Sequence, residues 1–160
     1  MAHDTWEYVP YLQGDSLSQD YCPLFAEGTK YYFYDTGQVI GDDGIKLENL
    51  TACALLKECH FLEDCFGEQL KIHYLRTKDG RELDFFITKD ELPFMMVEVK
   101  WGSQKASPNF TSFAKFFPQI KMMQIVKELT REKTYPGGLE IRKAHNWLAN
   151  LSLAEKVKST

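Results

Sequence analysis

Three residues of this 160-residue chain have types and a spacing suited to chemistry: Asp84, Glu98 and Lys100. Glu98-Val99-Lys100 lies in the run 94–101, whose apolar residues fall on both faces of a strand and so place it centrally in a sheet. Alternation puts Glu98 and Lys100 on one face, with Val97, Val99 and Trp101 on the other. A carboxylate and an ammonium on a central strand are costly unless they find partners. Asp84 sits between Leu83 and Phe85 in the strand just before. Neighbouring strands lie about 4.8 Å apart, so Asp84 and Glu98 can converge. Converging carboxylates repel, and a divalent cation relieves the repulsion. A lysine beside them can orient water or stabilise the charge that develops on a transferred phosphate.

The elements that must hold these residues are legible in outline. Residues 30–34 read as an aromatic strand, ending at the turn Asp35-Thr36-Gly37, with a second turn at 41–44. Leu47, Leu50, Thr51, Ala54 and Leu55 recur at helical spacing and predict a helix from 46 to about Cys59, followed by a loop over 60–67. Residues 70–76 alternate as a strand, Asp79-Gly80 suits a tight hairpin turn, and 81–88 is the return strand. Pro93 breaks the chain before the strand 94–101. Ser107 and Pro108 mark a helix start, Phe110, Phe113, Ala114 and Phe117 give that helix an apolar face, and Pro118 stops it. A fourth strand covers 121–126, Pro136-Gly137-Gly138 is a turn, 139–142 is a short strand, and Ala144, Trp147, Leu148 and Leu151 mark a final helix. The order from Lys46 is α-β-β-β-α-β, an α/β layer with a mixed sheet.

A hairpin Asp, an E-x-K after thirteen intervening residues, and a Glu on the preceding helix resemble the PD-(D/E)XK nuclease superfamily. The strings 30–37 (KYYFYDTG), 47–50 (LENL), 73–80 (HYLRTKDG), 82–85 (ELDF) and 97–100 (VEVK) are similar to one branch of it. That branch is the domain of unknown function found C-terminal to an AAA+ ATPase module and a winged helix in many prokaryotic proteins. The resemblance spans about 30–150 and implies a restriction-endonuclease-like core. It implies Asp84 and Glu98 as ligands of Mg²⁺ or Mn²⁺, the carbonyl of Val99 as a further ligand, and Glu48 as an outer or direct ligand. Lys100 would position or activate the attacking water, and Gln124 is a weaker candidate for contacting the site. The expected function is metal-dependent hydrolysis of DNA phosphodiesters. The alternative is a non-catalytic interaction or regulatory domain with a relic site, docking on an ATPase partner or on a second copy of itself.

The chain lacks G-x-x-x-x-G-K-[ST], so it has no phosphate-cradling loop of its own. It reads as a C-terminal piece or standalone descendant: a poorly matched lead-in over 1–29 with one short helix at most, a nuclease-like domain over 30–152, and a tail over 153–160. Composition agrees with a globular chain, at 44% hydrophobic and 26% charged residues. No apolar run reaches the length of a membrane span, and the N-terminus has no signal-peptide pattern; the cytoplasm is the expected location. Net charge is −4, but residues 1–97 carry 8 Lys/Arg against 18 Asp/Glu, and 98–160 carry 11 against 5. Lys105, Lys115, Lys121, Lys127, Arg131 and Lys133 in the basic half are the group suited to tracking phosphates.

Several other motifs favour structural roles. Asp35-Thr36-Gly37 imitates an aspartic protease signature, but its surroundings suit a turn. The four cysteines, Cys22, Cys53, Cys59 and Cys65, read as reduced thiols, and Cys53, Cys59, His60 and Cys65 lack zinc-knuckle spacing. The sequons at Asn49, Asn109 and Asn150 fall in expected helices. The phenylalanines over 110–117 read as core rather than as a base-stacking platform.

Overall fold

The computed structural model describes residues 8–11, 30–77 and 80–154. It shows β1 (Tyr8–Tyr11), β2 (Lys30–Phe33), a 3₁₀ turn (Thr36–Gln38), α1 (Asp43–Phe66), β3 (Leu70–Arg76), β4 (Glu82–Lys89) and β5 (Leu92–Lys100). There follow α2 (Pro108–Ala114), β6 (Lys121–Val126), β7 (Lys133–Thr134), β8 (Leu139–Lys143) and α3 (Ala144–Ala149). A six-stranded sheet has the order β3-β4-β5-β6-β8-β7. Strands β3, β4 and β5 are antiparallel, β5, β6 and β8 run parallel, and β7 returns antiparallel to β8. The class is therefore α/β with a mixed sheet, and the strand carrying Glu98 and Lys100 is central, as its two-sided apolar pattern requires.

Two cores cover the two faces. On one, α1 lays Leu47, Leu55, Cys59 and Leu62 against Phe85, Ile87, Val97 and Val99. On the other, Phe110, Phe113 and Phe117 pack on Leu83, Phe86 and Met96. Full burial of such side chains stabilises by roughly 1.5–3 kcal/mol each. The phenylalanines of 110–117 thus serve the core, Phe116 part-buried and packed against it. Ser107 caps α2 with Pro108 in its first turn, as the sequence indicates.

The structure corrects three boundaries. The expected loop at 60–67 is helix: α1 runs to Phe66, because Cys59 and Leu62 continue its buried stripe. It stops at Gly67, whose φ of 70° is the left-handed cap conformation. Pro93 lies inside β5 instead of breaking the chain, at a register irregularity where its missing N–H is tolerated. The lead-in contains a strand, since β1 pairs antiparallel with β2. The rest of the lead-in, Cys22, Asp79 of the expected Asp79-Gly80 turn, and residues 155–160 of the tail lie outside the described residues. Leu153 is buried in the α1-side core, and its N–H donates to Glu58 Oε1 at 3.0 Å.

Candidate active site

Asp84 reaches its place through a β-bulge. His73 pairs with Phe86 and Leu75 with Leu83, so two steps along β3 oppose three along β4. The extra residue falls in the stretch that carries Asp84, and a bulge of this kind re-aims a side chain. Asp84 Oδ2 accepts the backbone N–H of Val99 at 2.8 Å, and Oδ1 lies 3.8 Å from Lys30 Nζ. Val99 therefore touches the site through its amide.

Glu98 faces the α2 side, beside the helix start. It is 1% exposed. Its Oε1 takes three donors: Lys100 Nζ at 2.6 Å, Asn109 Nδ2 at 3.0 Å and Ser107 Oγ at 3.1 Å. Its Oε2 is buried and has no hydrogen-bond partner. Gln124 stands beside Glu98 in the parallel pairing of β5 with β6, but its side chain bonds elsewhere. It accepts from Ser107 N at 2.7 Å and donates to Lys105 O at 2.8 Å. Gln124 thus shapes the loop that delivers Ser107, and it acts on the site through that serine.

Glu48 projects from α1. Its Oε1 accepts from Lys30 Nζ at 2.9 Å and from the Tyr32 hydroxyl at 2.8 Å. Asn49, the next residue, fixes β2 by mimicking a strand partner: it accepts from Phe33 N and donates to Phe33 O, both at 2.8 Å. Alternation along β2 then turns Lys30 and Tyr32 toward Glu48. Lys30, Tyr32, Asn49 and Asn109 are site or support residues that sequence reasoning missed. The alternating pair Lys30 and Tyr32 at the head of an aromatic strand carried the available signal.

Electrostatics bind the cluster together. Burial, then the charges of Glu98 and Glu48, push the Asp84 carboxyl up to about 7; the Val99 amide and Lys30 oppose this. Burial alone pulls the Lys100 ammonium down, but its hydrogen bond to Glu98 and the charges of Glu98, Asp84 and Glu48 outweigh that and raise it. Lys30 behaves likewise against Glu48 and Asp84. Both lysines are therefore charged at neutral pH. Lys100 is placed to donate and to stabilise negative charge; as an ammonium it cannot take a proton.

A model of the family described as a domain of unknown function (DUF4143) matches residues 43–145. The chain belongs to that family. The DUF4143 match takes in Glu48, Asp84, Glu98 and Lys100 and leaves Lys30 and Tyr32 outside. No curated protein and no solved structure matches the chain.

The donors suit a hard divalent cation in kind: carboxylate oxygens, one of them buried without a partner. Among the described residues, no three His, Cys, Asp or Glu side chains are gathered tightly enough to enclose an ion. Lys30 stands between Glu48 and Asp84 in that arrangement. No helix of the described residues is long and apolar enough to cross a membrane.

Proposed function

We propose that this domain is a PD-(D/E)XK-like phosphodiesterase that hydrolyses DNA with Mg²⁺ or Mn²⁺. The observation that carries the reading is Glu98, buried with three donors on Oε1 and none on Oε2. A buried carboxylate oxygen without a partner is costly, and a bound cation is the partner that removes the cost. The α-β-β-β-α-β order around a mixed sheet supports a restriction-endonuclease-like core.

Asp84, Glu98, the Val99 carbonyl and Glu48 would hold the ion. When bound, it would lower the pKa of a water and neutralise charge on the phosphate. Glu98 orients Lys100, whose ammonium donates to the water or to a phosphate oxygen. Ser107 and Asn109 fix the Glu98 rotamer, and the Val99 amide fixes Asp84. Lys105, Lys115, Lys121, Lys127 and Arg131 are exposed and supply cationic surface for a polyanion.

The test is Mn²⁺ calorimetry on wild type and Asp84→Asn, followed by plasmid nicking with Lys100→Ala. Wild type should bind, Asp84→Asn should bind at least about tenfold more weakly, and Lys100→Ala should bind Mn²⁺ but not cut. Unimpaired cutting by Lys100→Ala would falsify the mechanism. A second reading, a non-catalytic docking domain, is favoured by one observation: Lys30 and Lys100 already pair the carboxylates. A thermal midpoint unmoved by Mn²⁺ would decide for it, because a ligand that binds the folded state must raise that midpoint.

A further inference from the structure

We propose that Lys30 is the resident counter-ion of this site and that a divalent cation binds by displacing it. The inference rests on the reading of Glu48 and Asp84 as ligands. It adds a control on their affinity by a residue outside the family-matched segment.

Lys30 Nζ is 2.9 Å from Glu48 Oε1 and 3.8 Å from Asp84 Oδ1, so one ammonium bridges carboxylates from α1 and β4. Its side chain is 24% exposed. It also lies over the Tyr74 ring, 5.2 Å from the centroid, where the ring face attracts a cation. One of the Glu48 oxygens is already engaged by donors from β2, since Glu48 Oε1 receives both Lys30 and Tyr32. The charges of Glu98 and Glu48 both act on Asp84, so a cation that replaced Lys30 would meet carboxylates on α1 and β4 together. Glu48, Asp84 and Glu98 face two ammoniums, Lys30 and Lys100, and the two differ in placement. Lys100 holds Glu98 by the oxygen that already has two other donors and leaves Oε2 bare. Lys30 spans the gap between two ligands. A lysine on its flexible four-carbon stem can leave such a gap without backbone movement, whereas a planar, forked arginine is less readily displaced.

Mn²⁺ calorimetry on the whole chain tests this, with wild type, Lys30→Met and Lys30→Arg at neutral pH and low ionic strength. Lys30→Met should bind about tenfold or more tighter than wild type, and Lys30→Arg no tighter than wild type. Lys30→Gln replaces the methionine variant if that one does not melt cooperatively. Equal or weaker binding by the neutral variants, with wild type binding normally, overturns the displacement and leaves the ligand assignment standing. No binding to wild type or to either neutral variant overturns the ligand assignment itself, and the displacement falls with it.

Discussion

At the residue scale, the candidate site is a set of charged groups that the fold brings together at a cost in burial and repulsion. Asp84 is nearly buried and feels both other carboxylates, so its ionised form is disfavoured. Clustering of this kind is typical of functional sites, which trade stability for chemistry. Asparagine at 84 keeps an oxygen for the Val99 amide and removes the charge. Without metal, Asp84→Asn should therefore be more stable than wild type by about 1–3 kcal/mol, or about 3–8 °C in thermal midpoint. A denaturant or calorimetric melt in chelator reads this, and a lower midpoint would mean that the Lys30 attraction outweighs burial and repulsion. Asp84, Glu98 and Lys100 were legible because charged residues in apolar strands demand a reason. Lys30 was not, because a lysine opening a short strand looks like an ordinary edge charge. Gln124 and Asn49 act through backbone groups distant in sequence, and only the fold brings those groups near.

At the element scale, the buried stripe of α1, the alternation of β3 and the two-sided apolar run of β5 predicted type and place well, because burial imposes those patterns. The errors fall where the local code is degenerate. His60, Glu63 and Asp64 disguise the last turns of α1, although Cys59 and Leu62 keep its period. The β4–β5 connection was hidden for a different reason: its two residues, Asp90 and Glu91, have φ of 50° and 65° and contain no glycine. Two consecutive left-handed residues between Lys89 and Leu92 make a tight hairpin whose preferred second residue is glycine. A left-handed glutamate is strained, and its ion pair with Lys71 at 3.4 Å is exposed and contributes little. Glu91→Gly should stabilise the domain by about 0.5–1 kcal/mol after glycine's greater unfolded-state entropy is subtracted. Urea unfolding with an unchanged slope and a higher midpoint would bear this out; a lower midpoint would show that the ion pair matters more than the backbone.

At the scale of the molecule, chain order becomes spatial order. The acidic first 97 residues supply α1, β3 and β4, while the basic remainder supplies β6, β7 and β8. The strands are laid out almost in sequence, β3-β4-β5-β6-β8-β7, with Glu98 and Lys100 near the middle of the sheet; the β3 edge carries Lys71 and Arg76 and no carboxylate, so the acidic side chains of the first half that flank the site sit on α1 and β4. Composition alone shows two halves of opposite sign; that the strands of each half stay together follows from the short connections that keep successive strands adjacent. Under the proposed function, a polyanion approaching the site would be steered from the β6–β8 side, where Lys121, Lys127 and Arg131 are exposed. Each phosphate neutralised contributes about 0.9 to the slope of log affinity against log salt for duplex DNA. Replacing Lys121, Lys127 and Arg131 together by Gln should lower that slope by about 2–3 and weaken binding at low salt. Lys57→Gln, an exposed change on α1 in the acidic half, should leave the slope unaltered. Fluorescence anisotropy of a labelled duplex across a salt series separates the cases. If both variants keep the wild-type slope, the charge gradient does not steer DNA, and the basic edge is free to face an acidic protein instead.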